Sequence, residues 1–149
     1  MITFLEVITI LYHAKIMFDH EEYNRWMNEA ENTFQSAIVD KEHEFYNWCC
    51  FKCHQVAEFA IKGLLYGLGL TPFGHSLTKM MNDLKKQKID ISLILTSSKK
   101  LDLHYIPSRY PNAHPTGSPF EYHDKNIAEE AIKNAKKIID FVKGIKNEQ

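Results

Sequence analysis

Residues 43–68 read HEFYNWCCFKCHQVAEFAIKGLLYGL, and the fold follows from how that run repeats. Phe45, Trp48, Cys49, Val56, Phe59, Ala60, Leu64 and Leu68 recur on one helical face, and Phe51, Ile61 and Leu65 widen it. The helix predicted over His43–Leu68 is about 40 Å long at 1.5 Å per residue. A face this broad needs several neighbours, so the segment is the predicted centre of a bundle. Gly67, Gly69 and Thr71-Pro72 stop it.

The flanking segments supply those neighbours. Upstream, Tyr23, Trp26, Met27, Ala30, Phe34, Ala37 and Ile38 repeat at steps of three and four and predict a helix over Glu21–Val39, joined by Asp40-Lys41-Glu42. Downstream, Ser76 is a good N-cap for a helix through Leu77, Met80, Met81 and Leu84. The lysines of Lys85-Lys86-Gln87-Lys88 suit its negative end. Ile89, Ile91, Leu93 and Leu95 alternate like a strand, but a single strand has no partner here, so a short helix leading to Tyr105 is expected. A last helix begins near Asp124 or Lys125 and runs to Ile145 through Ile127, Ala128, Ala131, Ile132, Ala135, Ile138, Ile139 and Val142. Its alanines permit close helix approach. Phe4, Leu5, Ile8, Leu11, Tyr12 and the stem of Lys15 form a short first helix ahead of a break at Asp19-His20. The expected fold is all-α: an antiparallel up-and-down bundle of four to five helices, with one long loop, about Pro107–His123, before the last helix.

Composition agrees with one globular domain. The chain has 149 residues, 44% hydrophobic and 25% charged, with a net charge of −1. The charge is uneven. Residues 1–60 carry 10 acidic against 4 basic groups, and the remainder 9 against 14. A basic half could meet phosphates; the plainer reading is helices of opposite charge lying side by side. Cys49, Cys50 and Cys53 are an odd, clustered set without a disulfide framework, which favours a reducing compartment. The apolar start lacks a basic n-region and a cleavage site and is too short to span a bilayer. The expectation is a cytoplasmic protein without membrane attachment.

Three groupings could carry chemistry. Cys50-Phe51-Lys52-Cys53-His54 has the spacing of a c-type haem attachment, but that needs export and the motif falls among core positions, so these read as core cysteines. The histidines His104, His114 and His123, with His75, show no i, i+4 pair, and no metal or other cofactor is expected. The third grouping lies in Leu101–Pro115, where Pro107, Pro111 and Pro115 keep the chain out of helix. Arg109 can clamp a phosphate and His114 can move a proton near neutral pH. RNA cleavage needs both, and a two-fold dimer would double them. The alternative is that Arg109 ties the loop to a carboxylate such as Asp102 or Glu58.

Several of these pieces together resemble the HEPN domain family. They are Trp26 with Ala30, the Gln55-x-x-Glu58-x-x-x-Lys62 frame within Cys53–Leu65, Gly74-His75-Ser76-Leu77, and Leu101-Asp102 followed by Tyr105-Ile106-Pro107-x-Arg109-Tyr110-Pro111. The resemblance spans about Phe18 to Val142, which makes 18–146 the bundle and 1–17 a peripheral extension. It implies a homodimer, often paired with a minimal nucleotidyltransferase in toxin–antitoxin-type systems. It also implies, in many members, a metal-independent ribonuclease site of the form Arg-x4–6-His, which Arg109 and His114 match in spacing. Members with the Arg-Tyr-Pro form look like nucleotide-binding or antitoxin-type modules. That reading assigns nucleotide or phosphate binding to Arg109, Tyr105, Tyr110 and Asp102, and catalysis, where RNA is the substrate, to Arg109 and His114.

Overall fold

The computed structural model describes residues 1–14 and 17–149, without the side chains of residues 12–14. The expected role of Lys15, and that of the Tyr12 side chain, therefore falls outside the described residues. Those residues form six α-helices and no strand: α1 (Phe4–Ala14), α2 (His20–Glu42), α3 (Tyr46–Gly67), α4 (Leu77–Lys86), α5 (Leu95–Asp102) and α6 (Lys125–Lys146). Two single 3-10 turns, Pro111–Ala113 and Pro119–Glu121, interrupt the long loop, each opening on its proline. No helix among the described residues is long and apolar enough to cross a membrane.

α3 is the centre of the bundle and packs against α2, α4, α5 and α6. Ile61, Leu64 and Leu65 are fully buried on it. Burying each is worth roughly 1.5–3 kcal/mol, which outweighs the few tenths lost by putting β-branched residues in a helix. Phe45 and Trp48 depart from the expected inner face, being 57% and 45% exposed. Phe45 precedes the first helical turn as its N-cap. Trp48 stands about 200° around the helix from the buried Cys50.

The helix ends explain the shifted boundaries. The Asp19 carboxylate accepts from the Glu22 amide at 3.0 Å and starts α2 at His20. Asp40-Lys41-Glu42 has the composition of a connector, yet it forms the last turn of α2. The reversal falls at residues 43–45, where Glu44 takes φ 66. Ser76 caps α4 through the Lys79 amide at 3.1 Å, and Asp124 caps α6 through the Ile127 amide at 2.9 Å. The alternating stretch from Ile89 contributes a turn before α5 and no strand. Ion pairs join neighbouring helices, Lys143 of α6 with Glu31 of the acidic α2 and Lys100 of α5 with Glu130 of α6.

Close approach of α2 to α3 depends on Gly63. A Cβ there would lie 2.9 Å from the Trp26 Cβ and 3.4 Å from the Tyr23 carbonyl oxygen. Gly63→Ala should therefore push two backbones apart. Overpacking of this kind costs about 1–3 kcal/mol, against ~1 kcal/mol gained in helix propensity. The net expectation is a lower urea midpoint for the variant, by about 1 kcal/mol of stability.

Candidate phosphate-binding loop

The loop that follows α5 starts from a fixed point. The Asp102 carboxylate accepts from the Leu77 and Thr78 amides at 2.8 and 2.9 Å, from Ser76 Oγ at 3.4 Å and from His54 Nε2 at 3.2 Å. Burial alone would raise its pKa, but these bonds more than offset that and hold it down at about 2. Asp102, expected to contact a ligand, is thus taken up at the N-terminus of α4. Its donors come from the α4 start and from α3, elements the sequence leaves 48 or fewer residues away without any local sign of the contact.

From there the chain turns on itself. Ser108 Oγ donates to the His104 carbonyl, and the buried Asn47 of α3 donates to the Ser108 carbonyl at 3.1 Å. This holds residues 104–110 over the first turns of α3 and sets Arg109 against Phe51. The Arg109 Cζ lies 4.2 Å from the Phe51 ring centroid, 4.5 Å from Tyr105 and 4.9 Å from Tyr110. Its Nε and one terminal nitrogen both donate to the Tyr105 carbonyl, at 2.8 and 2.6 Å. Among the described residues no carboxylate pairs with Arg109. The two acids that could have taken it are engaged elsewhere: Asp102 as above, and Glu58, which is 3% exposed, by His75 Nδ1 at 2.9 Å and Lys62 at 3.4 Å. Three rings surround the guanidinium, and its other terminal NH2 is left for an incoming acceptor.

The aromatic surroundings extend on both sides. His75 stacks on Tyr105 at 5.0 Å, and Trp48 meets Phe51 edge-on at 6.2 Å. Tyr110 is 45% exposed, and Leu103 and Ile106 of the same segment are exposed as well. Phe51 is the member that sequence reasoning missed as a site residue. Its spacing from Asn47, one turn on, is the available signal: a polar side chain inside an apolar face that reaches out to anchor something.

His114 has partners of its own. Its Nε2 donates to the Pro107 carbonyl at 2.6 Å, and its ring stacks on Tyr122 at 4.2 Å. His114 and Arg109 share no partner. A separate cavity of about 400 Å3 lies between α2 and α6, lined by Glu31, Phe34 and Lys143 and by no residue of this loop.

The cysteines are buried and free, as expected. Cys53 shares a hydrogen bond with Cys49, which together with burial pushes its thiol up. Two of the histidines, which form no i, i+4 pair in the sequence, come together in the fold. His104 and His123 face each other with ring centroids 5.6 Å apart, next to Cys50.

Residues 23–145 match the model of the HEPN domain family. This chain is a HEPN domain protein. The HEPN chain is similar to TT1696 from Thermus thermophilus, with 34% identity over 82% of this chain and 96% of that one, at a TM-score of 0.79. It is also similar to ST0689, an archaeal HEPN homologue, at 34% identity over 82% and 95% with a TM-score of 0.70. A HEPN domain protein from Thermotoga maritima shares 29% identity over 83% and 98%, with a TM-score of 0.66. A comparison with curated proteins finds no match. The family match begins at Tyr23 in α2, so α1 lies ahead of it.

Proposed function

We propose that this HEPN domain binds the phosphates of a nucleotide through Arg109, as a homodimer and as the partner module of a nucleotidyltransferase. The observation that carries the reading is the setting of Arg109: unpaired with any carboxylate among the described residues, and set among Phe51, Tyr105 and Tyr110. An arginine kept flat and partly desolvated is suited to two-pronged recognition of phosphate oxygens. Tyr110, exposed beside it, can stack on a base.

The dimer reading rests on other exposed groups. Phe45, Trp48, Leu103 and Ile106 are exposed apolar side chains that a second copy would cover. Light scattering should then give the mass of two 17.4 kDa chains. The ribonuclease alternative needs His114 to reach the 2′-OH that Arg109 presents. Its Nε2 is committed to Pro107 and it shares no partner with Arg109, so the binding reading is favoured.

The test is a nucleotide titration beside an RNA cleavage assay with and without EDTA, on the purified chain and on Arg109→Ala and His114→Ala. Nucleotide binding that Arg109→Ala removes and His114→Ala keeps, without cleavage, supports the proposal. Cleavage that both substitutions abolish replaces it with the ribonuclease reading. Absence of nucleotide binding in the unsubstituted protein overturns it.

A further inference from the structure

Cys50, His104 and His123 come from three separate places, the second turn of α3, the start of the long loop and its end. Their ligand atoms nevertheless lie within 4.8 Å of one another. A tetrahedral ion with one sulfur at about 2.3 Å and two nitrogens at about 2.0 Å needs its ligand atoms roughly 3.3–3.6 Å apart. Small side-chain rotations reach that. His123 donates from Nδ1 to the Pro119 carbonyl at 2.7 Å. That bond fixes the tautomer with its lone pair on Nε2 and orients the ring, as the outer partner of a metal-bound histidine does.

The geometry points to a binding site for one divalent ion of the zinc class on Cys50 Sγ, His104 and His123 Nε2, with water as the fourth ligand. Cys50 enters as thiolate and releases its proton to solvent; the ion undergoes no redox change. One thiolate and two imidazoles favour zinc over magnesium or calcium. The ion would clasp both ends of the loop carrying Arg109 and His114 to α3. This holds whether or not that loop binds nucleotide. Cys49 and Cys53 face one another and take no part.

Titration of the purified full chain with Co2+ tests this, followed by displacement with Zn2+. The expected result is one equivalent bound, with sulfur-to-cobalt charge-transfer absorption, and a higher thermal midpoint with Zn2+ than with EDTA. Cys50→Ser and His123→Ala should weaken binding at least tenfold, and Cys49→Ser should leave it within about twofold. His104→Gln, at a partly exposed position, replaces either buried variant that fails to fold by circular dichroism. No stoichiometric binding at micromolar protein, a bound cobalt lacking the sulfur band, or loss in Cys49→Ser with retention in Cys50→Ser would each overturn the site.

Discussion

Asp102→Ala is expected to cost this HEPN domain about 3 kcal/mol of stability and to loosen α4 from the end of α5. Two amides at the head of α4 lose their acceptor, worth about 1 kcal/mol for a helix cap. The larger part comes from His54, which is fully buried. Its Nδ1 already has no partner, and without Asp102 its Nε2 would have none either. Leaving a buried donor unmet costs about 1–3 kcal/mol. Ser76 still caps Lys79, which limits the loss. Asp102→Asn keeps an acceptor and should cost about half as much. The check is the urea midpoint at unchanged slope. A loss below about 1 kcal/mol for the alanine variant would mean that the carboxylate is not the joint between these elements. Acid should act in the same direction. The folded pKa is lowered from 3.8 to about 2, so this contribution is present above pH 3.8 and fades as pH falls toward 2.

Arg109→Ala is expected to weaken phosphate-ligand binding by a hundredfold or more. A bidentate charged contact in a partly desolvated place is worth about 1.5–3 kcal/mol, and the truncation also unstacks the three rings that shape the face. Arg109→Lys should recover little, because an ammonium cannot lie flat between Phe51 and Tyr105 while presenting two parallel donors. Phe51→Leu separates position from charge. It leaves the guanidinium in place but removes its closest ring, and a loss of about tenfold is expected. Calorimetric titration with a nucleoside triphosphate, with thermal unfolding run alongside, measures this. Equal binding by Arg109→Lys and the parent would show that point charge alone suffices and that the aromatic stack has no part in recognition.

Much of this architecture is written in local patterns. The spacing of apolar residues in α3 and α6, Ser76 before α4 and Asp124 before α6 each act within a turn or two of the chain, so they can be read without a third dimension. The errors lie where a distant contact decides. Trp48 has the right residue type for the core but the wrong angle, because Cys50 and His54 occupy the inside. Asp40–Glu42 looks like a linker by composition, yet Asp40 is held against Lys52 at 2.6 Å and the helix continues through it. In the loop, Arg109 and its tyrosines are visible as a motif. What holds them is Asn47 and Phe51 from α3, and the commitment of Asp102 and Glu58 to other partners rests chiefly on pairings 17 to 48 residues apart. The meeting of Cys50 with His104 and His123 has the same origin: the loop leaves α3 and returns to it.

The link between α5 and α6 is secured by separate clasps, with no continuous ladder. Its backbone bonds are short-range turns, its side chains mostly grip its own carbonyls, and Asn47 fastens it to a helix. Such a strap can lift one catch at a time while the helices stay together. Amide protons of residues 104–123 should therefore exchange with deuterated water well before those in the middle of α3. The posture of the strap is then the property that an ion, an anion or a neighbouring chain can set, without any rearrangement of the helices beneath it.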